Sequence, residues 1–128
     1  MTATKGLEGI VAAKSSISSI IDGVLTYQGI NIDELAENAS FEEVVYLLWH
    51  GKLPTQSELD ELVAQFGEYA AVPAEVIEGL RLYPKNANSM AALRSVVSGL
   101  SLYDAEANDM SKEANYRKAV KLQPQLPT

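Results

Sequence analysis

Two textures of apolar spacing divide the chain. From Gly9 to Ile30 the pattern is short-ranged and β-like. Ile10 and Val11 open a small apolar patch. Ser16–Ile21 and Val24–Tyr27 then flank Asp22-Gly23, a dipeptide that suits the positive φ angles of a tight hairpin turn, and Gly29 ends the segment. A lone hairpin is marginal in water, so this one is expected to lie against helices. Residues 1–9 are small, polar and glycine-spaced and read as an arm. From Asn31 onward the apolar residues recur every three or four positions, which predicts helix throughout. The organisation expected is an arm and hairpin over 1–30 and a helical bundle over 31–128.

The helix ends are written in the sequence. Asn31 suits the N-cap of a short helix over Ile32–Glu37, with Glu34 placed to close a capping box. Ser40 and Glu43 form the same signature ahead of Phe41, Val44, Val45 and Leu48, which share one face, while Leu47 and Trp49 widen it. Gly51 then offers a left-handed C-cap and Pro54 forbids continuation. Thr55-Gln-Ser-Glu58 starts a helix with Leu59, Leu62, Val63 and Phe66 on one face. Pro73 suits a first turn, with Val76, Ile77, Leu80 and Tyr83 inward and Pro84 as the stop. Asn88 caps a helix to about Tyr103 whose apolar set is Leu93, Val96, Val97 and Leu100. A polar connection, Asp104–Asp109, leads to Ser111 and a last helix disturbed near its end by Pro124. The fold class expected is mainly α, with six or seven helices and a small N-terminal β-hairpin.

Composition narrows the possible functions. At 128 residues, 47% apolar and 21% charged, the chain is long enough for a real core and is not of disordered composition. A net charge of −7 argues against nonspecific nucleic-acid or anionic-membrane partners. No apolar run approaches the roughly 18 residues of a membrane span. The N-terminus lacks the apolar core of a signal peptide, so a cytoplasmic setting is the simplest expectation. Without cysteine there are neither disulfides nor thiolate ligands.

Candidate chemistry is sparse. His50 is the single histidine, so no mechanism needing two can operate within this chain. At a helix C-terminus beside Trp49 it reads more readily as a dipole-favoured end residue than as a catalyst. Arg94 and Arg117 could meet a carboxylate or phosphate, but ion pairs within or between chains are the simpler reading. The adjacent acids Glu42-Glu43 and Asp60-Glu61 point apart on a helix and make poor metal pairs. Ala91, Ser95 and Gly99 form a stripe of small residues every four positions. Such a row lets another helix approach closely, and packing within the chain would account for it. No catalytic, substrate-binding, cofactor or metal residue is assigned.

The segments SSISSIIDGVLTYQGI, ASFEEVVYLLWHGKLP, SMAALRSVVSGL and EANYRKAVKLQPQLPT, in this order and spacing, resemble the N-terminal part of citrate synthases, especially the bacterial citrate and 2-methylcitrate synthase group. The likeness runs from about Gly6 to Thr128. It implies the citrate synthase-like helical fold. Family members form a carbanion equivalent from an acyl-CoA methyl group and add it to the keto carbon of oxaloacetate, using an aspartate base and two histidines. Those residues, and the acetyl-CoA and oxaloacetate contacts, belong mainly to the later part of the family's chain. None can be carried over here, so the chain reads as an N-terminal fragment that is inactive alone and binds neither substrate by itself. The resemblance also places the Pro73 and Asn88 helices at the family's subunit contact, which implies a homodimer joined through Val76, Ile77, Leu80, Ala91, Ser95 and Gly99. A different reading is a truncated paralogue that regulates by pairing with a full-length synthase. Two local departures stand out. Asn88-Ser89 replaces the group's usual His-Pro before Met-Ala-Ala-Leu-Arg, and Pro124 stands where a helix former is usual, so an early end or kink is expected there.

Overall fold

The structure is a computed structural model that describes Val11 and residues 14–127. The arm read over 1–9 lies outside the described residues, as does Ile10. Two compact units divide the chain, Met1–Leu59 and Asp60–Thr128.

In the first unit, strands β1 (Ser18–Ile21), β2 (Val24–Tyr27) and β3 (Ile30–Asn31) form an antiparallel sheet in the order β1-β2-β3. Ile21 pairs with Val24 across the turn, where Asp22 (φ 52°) and Gly23 (φ 81°) take the left-handed angles that the dipeptide suits. The third strand was not expected. Gln28 (φ 49°) and Gly29 (φ 84°) make a second tight turn, so Gly29 reverses the chain rather than ending the sheet, and Tyr27 pairs with Ile30. A two-residue strand is too short to show alternation in sequence. Helix α1 (Ile32–Asn38) packs on β2 and β3, which gives the hairpin the support it needs.

The capping signals act as written in most places. Asn31 caps α1, but it accepts from the Asp33 N–H at 2.9 Å, one residue earlier than a box requires, and Glu34 closes no box. In helix α2 (Phe41–His50) the box is complete. The Glu43 N–H donates to Ser40 Oγ at 3.2 Å and the Ser40 N–H donates to Glu43 Oε2 at 2.6 Å. Gly51 (φ 76°) closes the other end in the left-handed conformation, its N–H reaching the Leu47 carbonyl at 2.8 Å. The buried face differs from expectation. Leu47 is 1% exposed and Val45 is buried, whereas Phe41 is 59% exposed. The stripe is therefore centred on Val45 and Leu47, and Phe41 lies at its open end.

Helix α3 (Gln56–Tyr69) begins with Thr55 and Glu58 bonded reciprocally and buries Leu62 and Phe66. Val63 is 48% exposed and does not belong to that face. In the second unit, helix α4 (Ala74–Arg81) follows Pro73 and stops before Pro84 is reached. Helix α5 (Ser89–Leu100) is capped by Asn88, which accepts from the Ala91 N–H at 3.1 Å, as expected. Beyond Leu100 the chain tightens into a 3-10 turn, Ser101–Tyr103, rather than continuing as α-helix. Helix α6 (Lys112–Gln125) is capped by Ser111 and runs through Pro124 instead of ending early. The Leu126 N–H still reaches the Leu122 carbonyl, because a proline this near the end deletes a single donor. Val76, Leu100, Ala114 and Val120 are buried in this unit.

Candidate subunit-contact face

Helices α4 and α5 pack on each other and leave an apolar surface uncovered. A groove of about 540 Å³ is lined by Ile77, Leu80 and Tyr83 of the α4 side and Leu93, Val96 and Val97 of α5, among others. Tyr83 and Leu80, expected inward, are 37% and 41% exposed. Around them Leu82 is 86%, Met90 70% and Leu93 42% exposed. Apolar side chains gathered at this density differ from scattered surface leucines and mark a surface that gains by being covered. The charges nearby add little. The Arg81–Glu78 pair is solvated on both sides, and exposed pairs contribute at most about 1 kcal/mol.

The six residues singled out in sequence fall into three situations. Val76 is buried in the unit's own core and supports the face from behind. Ile77 and Leu80 line the groove. Ala91, Ser95 and Gly99 lie beside the groove-lining positions of α5, with Ala91 and Ser95 exposed and Gly99 half-buried. A Cβ built at Gly99 meets nothing within 4 Å among the described residues. The Ser95 hydroxyl donates to the Ala91 carbonyl at 2.9 Å and thus carries its own partner within the helix. The stripe is therefore small, smooth and internally satisfied, which is what a close helix–helix approach requires.

The other candidates take structural places. His50 stacks on Tyr46 with ring centroids 4.1 Å apart. Lys52 joins the same cluster, bonding Glu58 at 2.6 Å and standing 5.9 Å from the Tyr46 ring centroid. Lys52, the Thr55 N–H, the Tyr46 hydroxyl and the Thr55 hydroxyl all donate to Glu58 and hold its carboxyl at a pKa of about 2. The Glu58 hydrogen bond in turn raises the Lys52 ammonium above its ordinary value. Such a cluster ties down the junction after α2. Arg117 forms a two-pronged pair with Glu106, in line with the ion-pair reading, while Arg94 has no ion pair among the described residues. No three His, Asp or Glu side chains among the described residues converge as a metal site, and no helix among them is long and apolar enough to cross a membrane. The Lys52–Glu58 and Arg117–Glu106 pairs were missed in sequence, since each joins a helix to a residue outside it.

The family model described as "Citrate synthase, C-terminal domain" matches residues 6–128. The chain belongs to the citrate synthase family. It is 58% identical to citrate synthase 2 of Bacillus subtilis (strain 168) across 99% of this chain and 34% of that protein. The crystal structure of citrate synthase from Pyrobaculum aerophilum superposes with a TM-score of 0.83 at 32% identity, over 95% of this chain and 33% of that one. The Thermoplasma acidophilum citrate synthase, solved as a ternary complex with carboxymethyl coenzyme A and oxaloacetate, shares the fold with a TM-score of 0.84 at 24% identity, over 94% of this chain and 32% of that one. The chain thus spans about a third of the length of the relatives it matches.

Proposed function

We propose that this chain acts as the N-terminal part of a citrate synthase-like acyltransferase subunit. Its own task is to supply helical scaffold and the α4–α5 contact between two copies. The complete enzyme would condense acetyl-CoA with oxaloacetate to give citrate and coenzyme A, and both substrates are assigned to it alone. The observation that carries the reading is the pairing of family membership with an uncovered apolar face flanked by an open glycine stripe. Homodimerisation would cover Leu80 and Leu93 and let a partner helix ride over Ala91, Ser95 and Gly99.

The chain by itself is expected to be inactive. The family's chemistry needs an aspartate base and two histidines, and His50 is the single histidine here. Incubating the purified chain with acetyl-CoA and oxaloacetate and following thiol release should give the blank rate. Turnover above blank would overturn the inactive reading. The same face offers a second mode, since a chain 58% identical to a complete synthase could pair with one and regulate it. Retention of an untagged full-length synthase on the tagged chain would favour that mode over the homodimer.

A further inference from the structure

The connection between α5 and α6 is acidic, and the helix beside it presents three cations within five residues. Arg117 donates from Nε to Glu106 Oε2 at 2.8 Å and from Nη2 to Oε1 at 2.5 Å. Lys121 meets Asp104 at 3.3 Å. Lys118 Nζ donates to two main-chain carbonyls of the connection, Ala107 at 3.3 Å and Asp109 at 2.6 Å. Within the connection, Asp104 accepts from the Glu106 N–H through its side chain and from the Ala107 N–H through its carbonyl, and Asp109 caps Ser111. These turns give the segment its shape.

Apolar anchorage is weak there. Leu102, Tyr103 and Met110, the large apolar residues at its two ends, are 85%, 53% and 76% exposed. Charge and the Lys118 bonds are what tie the segment to α6. The segment also walls a cavity of about 260 Å³. Asp104 and Ala107 stand on one side, Lys118 and Lys121 on another, and Val97, Leu100 and Leu122 supply apolar lining.

We propose that residues 104–109 form a strap, latched by charge across α6, whose release by ionic screening opens that cavity. Partly solvated ion pairs each contribute little, so a latch made of them sits near its release point. Screening acts on this range, because the Debye length falls from roughly 30 Å at 0.01 M salt to roughly 3 Å at 1 M. The segment would then open locally while the rest of the unit stays folded.

Hydrogen exchange of the intact chain at 0.01 M and 1 M sodium chloride tests the strap. The Ala107 and Asp109 amides should exchange about three- to tenfold faster at high salt, while the amide of Leu62, buried in the same unit, holds its rate. Glu106→Gln, which changes a solvated side chain and leaves α6 untouched, should produce the faster exchange already at low salt and flatten the salt response. Rates at Ala107 and Asp109 unmoved by both salt and Glu106→Gln would overturn the latch. Acceleration shared equally by Leu62 would also overturn it, since the segment would then open only with its whole unit.

Discussion

Helices α2 and α5 are close in length and each starts at a side-chain N-cap, yet their faces meet different fates. Ser40 and Gly51 bracket α2, and its stripe is centred on Val45 and Leu47, the latter 1% exposed. Asn88 starts α5 with as good a cap, but only Leu100 of its apolar set is buried, at 9%, while Leu93 is 42% exposed. Periodicity and capping say that a helix forms and which side is apolar. Whether that side is covered depends on matter the local code does not describe. An uncovered apolar face on a well-formed helix gains by being covered.

The sharpest way to break the comparison is to hollow each helix. Leu47→Ala should cost about 3 kcal/mol in urea unfolding, the ordinary penalty for truncating a fully buried leucine. Removing the caps should instead erase the difference. Ser40→Ala and Asn88→Ala should each cost about 1 kcal/mol, because each orphans one main-chain donor whatever the opposite face does. A much smaller loss at Asn88 would mean α5 is not anchored by its cap.

Leu93→Gln should cost about 1 kcal/mol or less in dilute unfolding, since the side chain is already half in water. It should nonetheless weaken self-association measurably by sedimentation. An effect on stability as large as that of Leu47→Ala would move Leu93 into the core and remove the contrast.

The smallest effect concerns acid. The Glu58 carboxyl sits at about pH 2 in the folded chain, below its ordinary value of 4.5. Its contribution is therefore present in full above about pH 4.5 and lost as pH falls toward 2. Melting temperatures of Glu58→Gln and the parent chain should differ above pH 5 and converge between pH 4.5 and 2. A constant difference across that window would show that Glu58 acts through packing and not through its charge.

Much of this fold was legible because its signals are local. The Asp22-Gly23 turn, the Ser40 box, the Gly51 cap and the Asn88 cap each lie within four residues of the groups they satisfy. What stayed hidden was either too short or too distant. Strand β3 has two residues and no period. Phe41, Val63 and Tyr83 matched a helical period but lie at the edges of their faces, where burial depends on neighbours. Arg117 and Glu106 pair across eleven residues with no spacing rule to announce them. Leu80 was read both as inward on its helix and as part of the expected subunit contact, and Leu93 as core; both are exposed, because their covering depends on residues the helical period does not describe.

The central claim is that the α4–α5 face joins two copies of this chain, and light scattering of the purified protein with its Gly99→Leu variant tests it most directly. A Cβ at Gly99 meets nothing within 4 Å, and replacing a glycine in the last turn of α5 costs no helix propensity, so the variant should fold as well as the parent. The account predicts a parent of twice the 13.8 kDa chain mass and a folded variant at the monomer mass. A monomeric parent, or a dimer indifferent to Gly99→Leu, would contradict it.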